Sequence, residues 1–143
     1  MSRLFEIETA LNSFCDKITD NISLSVRSVD YMLLDLNREQ MLFRQVDAFD
    51  NAISPPYNPN YKAKAGKKTS NPDLFDTGDF QKKMILNTNG EKFEIHSTDW
   101  KDLKLREKYG DQIHGVAPSN QTKAYSITNG AIGLRLRKEG LLR

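Results

Sequence analysis

The sequence predicts an α+β domain: a long N-terminal helix or helix pair, a small antiparallel sheet built on a hairpin, additional helices and one long extended loop. Three observations carry this expectation. An apolar stripe recurs at helical spacing up to about residue 40, a proline-rich segment without periodicity runs from about 48 to 72, and an Asn-Gly pair separates two short runs of strand-like pattern.

The helical start rests on Leu4, Ile7, Leu11, Phe14 and Ile18, whose intervals of three and four put them on one face. Ser2 is placed to cap that helix, with Glu6 and Glu8 near the positive end of its dipole. Val26, Val29, Met32, Leu33 and Leu36 repeat the pattern to about Gln40. The intervening 20–25 segment is richer in β-branched and capping residues, so a kink or a break between two helices is expected there. Core packing or a helix–helix interface is the ordinary use of both stripes. Cys15, beside Phe14, is expected to be a buried, inert thiol.

From about Ala48 to Pro72 the character changes. Pro55, Pro56, Pro59 and Pro72, with several Asn residues, are expected to forbid a regular helix or a central strand in this segment. Loops longer than about 15 residues are uncommon in a domain unless they are functional or disordered. Tyr57 and Tyr61 offer anchoring area, so the segment is expected to be an extended arm that docks on a neighbour, with Pro55, Pro56, Tyr57 and Tyr61 as its assembly residues. Lys62, Lys64, Lys67 and Lys68 make the one local basic patch, suited to acids on a partner or to weak phosphate contact.

Beyond the loop, Asp76 or Thr77 is expected to start a short helix. Met84-Ile85-Leu86 then turns at Asn87-Thr88-Asn89-Gly90 into the alternating run Lys92 to His96, a hairpin signature. Ser97 or Thr98 is expected to cap a helix carrying Trp100, Leu103 and Leu105, with Gly110 as its terminating residue. Gln112 to Val116 reads as extended and leads past Pro118 into a last segment. There Tyr125, Ile127, Ile132, Leu134, Leu136 and Leu141 mix with Arg135, Arg137, Lys138 and Arg143. A terminal helix or strand is expected, the helix being favoured although Gly130 and Gly133 each cost about 1 kcal/mol relative to Ala.

Length and composition bound the function. A chain of 143 residues, 28% charged, is expected to be one domain with the arm at about 48–72 inside it. Its 21 basic and 19 acidic residues give a net charge of +2, too balanced to announce a nucleic-acid binder. The single cysteine allows no internal disulfide and no cysteine cluster for zinc. The first residues lack the basic start and apolar run of a secretion signal, and no run approaches the roughly 20 apolar residues of a membrane span. Synthesis in a cytoplasm and a soluble product without a membrane partner are expected.

No constellation of residues points to catalysis. His96 and His114 lack the further ligands a zinc site needs. Asp73, Asp76 and Asp79 have neither the alternate spacing nor the closing Glu of a calcium loop, so capping of the short helix by Asp76 or Thr77 is expected instead. There is no glycine-rich phosphate cradle and no serine in a nucleophile elbow. A non-enzymatic protein is expected, with no catalytic residue, no metal and no cofactor.

Two segments carry a resemblance. Asn71-Pro-Asp-Leu-Phe-Asp-Thr-Gly-Asp-Phe-Gln-Lys-Lys-Met84 resembles the Thr-Gly helix start of the small neck and tail-completion proteins of tailed bacteriophages. Further on, the stretch from Ser97 to Gly115 ends in Tyr109-Gly110-Asp111-Gln112-Ile113-His114-Gly115 and resembles their Tyr-Gly-x-x-Ile-x-Gly element. Asp35 to Met41 and Pro55 to Lys62 are similar to the helix end and proline–tyrosine loop of some members, so the likeness spans about residues 30 to 118. Where that pattern would place a glycine turn, this chain has Phe43-Arg44-Gln45-Val46-Asp47.

The resemblance implies a head–tail connector: a small α+β virion subunit forming a ring, usually of six or twelve copies, between portal and tail, with DNA passing through its lumen. Thr77, Gly78, Phe80, Tyr109, Gly110, Ile113 and Gly115 would be its structural motif residues. Two other classes stay open at this point, a small nucleic-acid-binding module using the lysine loop and a one-to-one inhibitor or antitoxin-like partner.

Overall fold

The computed structural model describes residues 3–90 and 92–141; the proposed cap Ser2 and the terminal Arg143 lie outside them. Helix α1 (Arg3–Ser28) and helix α2 (Asp30–Glu39) follow one another, and a π turn, Gln40–Arg44, ends the pair. After the long loop, which contains α3 (Pro59–Lys64), come α4 (Asp79–Lys82), strands β1 (Met84–Asn89) and β2 (Lys92–Ser97), α5 (Asp102–Tyr109) and α6 (Gln121–Lys138). The α+β expectation holds: a helix pair, a two-stranded antiparallel sheet, further helices and a long loop.

The break in the helical pair falls later than the sequence pattern indicates. Residues 20–25 are continuous helix, and the interruption is at Val29. Just before it, Ser25 Oγ donates to Asn21 O (2.6 Å) and Ser28 Oγ donates to Ser25 O (2.6 Å). Side-chain bonds of this kind compete with the helix's own ladder and bend it. At the far end Gln45 takes the left-handed conformation (φ 51°), so it fills the place a glycine turn would have occupied.

Proline does not exclude a helix from the loop. Pro59 sits in the first turn of α3, where its missing N–H costs nothing, and Asn58 caps the helix by accepting from Asn60 N at 2.9 Å. The start of α4 is also shifted: Gly78, at φ 87°, is the capping residue rather than Asp76 or Thr77. A Cβ there would stand 3.1 Å from the Phe75 ring, so the Thr-Gly pair is a backbone requirement.

The hairpin pairs Met84 with Ser97 through Asn89 with Lys92, so β1 runs on through Asn89 instead of turning at Asn87. Met84, Leu86 and Ile95 face inward. The following helix begins at Asp102, after Trp100, and neither Ser97 nor Thr98 caps it. Asp99 organises the approach instead, accepting Lys101 N at 3.0 Å while Ser97 Oγ accepts Asp99 N at 3.2 Å. Gly110 ends α5 as expected, at φ 93°. The segment expected to be extended at 112–116 begins as a 3-10 turn, Asp111–Ile113.

The core gathers Leu33, Leu34, Met41, Ile53, Phe80, Met84 and Ile113 around the hairpin. Helix α6 packs on the second half of α1, where Arg135 Nε donates to Asn21 Oδ1 at 3.0 Å. The first half of α1 is different. From Arg3 to Lys17 every side chain the structure describes is exposed, including Leu4, Ile7, Leu11 and Phe14. The core-packing expectation for this stripe is therefore overturned within the chain; only Ile18, partly buried, begins the packed portion. Cys15 is likewise exposed, not buried, because it rides on the same uncovered half.

Candidate interaction site

The two segments that carry the resemblance fold against each other. Ser97 Oγ donates to Phe80 O at 2.7 Å, Lys101 Nζ reaches Asp76 Oδ2 at 2.9 Å, and Lys83 Nζ reaches Asp99 Oδ2 at 3.2 Å. Between them and the loop lies a cleft of about 500 Å³. Six of the residues selected from the sequence line it: Tyr57 and Tyr61 from the loop, and Thr77, Gly78, Phe80 and Tyr109 from the motif segments. Leu74, Phe75 and Leu105 add apolar wall, and Lys101 and Lys108 stand on it. Its walls combine aromatic and apolar side chains with a few polar groups.

The loop is held by Tyr57. Its hydroxyl donates to Asp73 Oδ1 (2.8 Å) and accepts the N–H groups of Asp73 and Leu74 (3.2 Å each). Burial raises the Tyr57 pKa well above the usual phenol range, and the hydrogen bond to Asp73 adds to the shift. Lys67 completes the knot: Nζ lies 2.9 Å from Asp73 Oδ1, donates to the Phe75 carbonyl, and sits over the Tyr57 and Phe75 rings. At Asp73 burial raises the pKa, and the bonds from Lys67, Phe75 N and Tyr57 outweigh it, so the carboxyl stays below its ordinary value. With Tyr57 N donating to Ser70 O at 2.8 Å, the segment is closed on its own residues.

The lysine patch is thereby divided. Lys67 points inward, Lys62 is half-buried with Nζ 3.4 Å from Ser70 Oγ, and Lys64 and Lys68 are exposed. Pro55 and Pro56 are exposed and do not line the cleft; the Ser54–Pro55 peptide is cis. Gly110 stays at the end of α5, outside the cleft lining. Ile113 is fully buried, and Gly115 lies under the α2 end, with φ 127° and room for no Cβ against Ala48 (2.9 Å).

Sequence reasoning missed two features. Asn37 and Gln40, fully buried, hold the 113–117 backbone; a polar residue in an amphipathic stripe was the only signal. The second is His114, whose side chain is 5% exposed and whose Nε2 lies 2.6 Å from Asp102 Oδ1, while Nδ1 has no partner among the described residues. Burial lowers the His114 pKa despite Asp102, aided by Arg106 and His96. The neutral ring thus donates Nε2–H to the Asp102 carboxylate. Burial raises the Asp102 pKa, but that bond and one from Arg106 Nε (2.8 Å) overcome the effect and hold it low. Asp102 and Arg106, four apart on α5, were the legible part of this pair. Among the described residues His114 holds Asp102 and no nucleophile, and no group of three His, Cys, Asp or Glu suited to a metal occurs. No described helix is long and apolar enough to cross a membrane.

No protein-family model, curated protein or solved structure matches this chain.

Proposed function

We propose that this chain is a non-enzymatic ring subunit of the head–tail connector, or neck, of a tailed bacteriophage, made in the host cytoplasm and built into the virion. Its work is geometric: twelve or six copies form a ring that joins portal to tail and lets DNA pass through the lumen with at most weak contact. The observation that carries the reading is the uncovered first half of α1, where Leu4, Ile7, Leu11 and Phe14 stand 75%, 62%, 58% and 46% exposed on one face. An exposed apolar face of this kind marks an interaction surface, and a neighbouring protein subunit is the occupant that fits the connector reading. The aromatic cleft, lined by residues of both motif segments and of the proline–tyrosine loop, supports the same reading by offering a second contact surface.

The test is location. Antibody raised against the chain, used for immunogold labelling of particles of the phage that carries its coding sequence, should place gold at the head–tail junction. Particles that lack the chain would overturn the proposal.

A nucleic-acid-binding module using the lysine loop is the second reading, favoured by the exposure of Lys64 and Lys68. It is weakened by Lys67, whose charge is already matched by Asp73 inside the loop.

A further inference from the structure

The chain leaves a second apolar surface uncovered, well away from the first half of α1 in sequence. Between the start of α2 and the outer side of α6 runs a groove lined by Val29, Met32, Ile127, Ala131 and Leu134, with Gly130 beside them. Ile127, Ala131 and Leu134 stand at helical intervals of four and three on α6, and Leu134 is 69% exposed. Gly130 meets nothing within 4 Å of where a Cβ would be, so the wall is open and admits a bulky partner side chain. The groove measures about 600 Å³.

We infer that the α1 stripe of one copy of this chain seats in the α2–α6 groove of the next copy. Shape and charge agree on this occupant. The stripe Leu4, Ile7, Leu11, Phe14 is narrow, and its flanks carry the small residues Ala10 and Cys15, so it can sink between two helices. One flank also bears Glu8, and the other is mixed in charge, with Arg3, Lys17 and Glu6. The groove is basic on one side: its α6 wall carries Arg135 and Lys138. Seating the helix with Glu8 towards α6 sets an acid against these two bases, which selects its orientation.

Pairing α1 with α1 would cover the stripe and leave the groove bare. Stripe into groove covers both. It also joins different patches of identical chains, a head-to-tail contact that propagates from copy to copy and closes into a ring when the rotation allows. The inference deepens the connector reading and rests on its premise that copies associate.

The experiment uses two variants of the full chain at exposed positions, Leu11→Glu in the stripe and Leu134→Glu in the groove, with circular dichroism confirming that both fold. In sedimentation velocity the wild-type chain should form closed oligomers, and each variant alone should weaken self-association by more than about tenfold, because a carboxylate would be buried against apolar wall. An equal mixture should give one-to-one dimers and nothing larger, since one stripe and one groove remain intact in each pair. If Leu134→Glu alone assembles like wild type, the stripes pair with each other and the inference is overturned. A wild-type chain that stays monomeric at its highest soluble concentration overturns it too. Neither result touches the immunogold test, so the connector reading stands or falls separately.

Discussion

The amide oxygen of Asn37 accepts the backbone N–H of Gly115 at 3.0 Å, across 78 positions of sequence, while its Nδ2 donates to Ile113 O at 3.1 Å. Gln40, one turn on, repeats the arrangement: Nε2 donates to Gly115 O at 3.0 Å and Oε1 accepts Ala117 N at 2.8 Å. Two buried amides thus replace a strand as the partners of the 113–117 backbone, which would otherwise bury its polar groups unpaired.

Asn37→Leu should therefore destabilise the chain by about 2–4 kcal/mol, since it keeps the volume and orphans a donor and an acceptor in the core. Urea unfolding should show this as a lower midpoint with an unchanged slope. A near-neutral result would mean that water enters and serves these groups.

Gly115→Ala and Gly133→Ala should move stability in opposite directions. At Gly115 the backbone is at φ 127° and a methyl would press on Ala48 at 2.9 Å, so a loss of about 1–3 kcal/mol is expected. At Gly133, inside α6, the nearest atom is Arg137 Nη1 at 3.9 Å, and alanine should gain about 0.5–1 kcal/mol from helix propensity. Paired thermal melts of the two variants check both signs.

Acid should act through His114. Its folded pKa lies below the ordinary value of 6.5, so the unfolded chain binds more protons in the window between the two values. Stability contributed by the neutral ring is present above pH 6.5 and is lost as the pH falls through that window towards the folded value. Asp102, also lowered, adds a further loss below its ordinary 3.8. Denaturant unfolding across this range should show the decline, and His114→Gln, which keeps a donor for Asp102, should flatten the upper part of it.

Tyr57→Phe removes one donor and one acceptor that serve Asp73 and Leu74. The global stability should fall by only about 1–2 kcal/mol, because the site is partly exposed, while the loop itself opens. Hydrogen exchange should accelerate across residues 57–74 and leave the hairpin protected. Uniform acceleration would show that the loop and the core unfold as one unit.

DNA binding by the lysine loop should be weak and carried by Lys64 and Lys68. Replacing both with alanine should abolish whatever salt-dependent shift the chain gives, and Lys67→Ala should act on loop stability instead. Fluorescence anisotropy with duplex DNA at two salt concentrations separates these effects. Tight binding lost on Lys67→Ala alone would revive the nucleic-acid reading.

Much of the architecture was determined by the sequence itself, because it depends on short-range pattern. The intervals of Leu4 to Ile18 dictate a helix, Asn89-Gly90 dictates a hairpin, and Gly78 and Gly110 mark helix ends where φ must be positive. Local pattern cannot say what a face meets. The same spacing that buries Leu33 and Leu34 in the core leaves Leu4, Ile7 and Leu11 bare, because α6 packs on the second half of α1 and not on the first. Only the tertiary structure decided that Lys67 turns into its own loop, that Tyr57, Phe80 and Tyr109 share one cleft, and that Asn37 meets Gly115. Each of these joins residues through contacts whose energy exists only once the chain has closed around them.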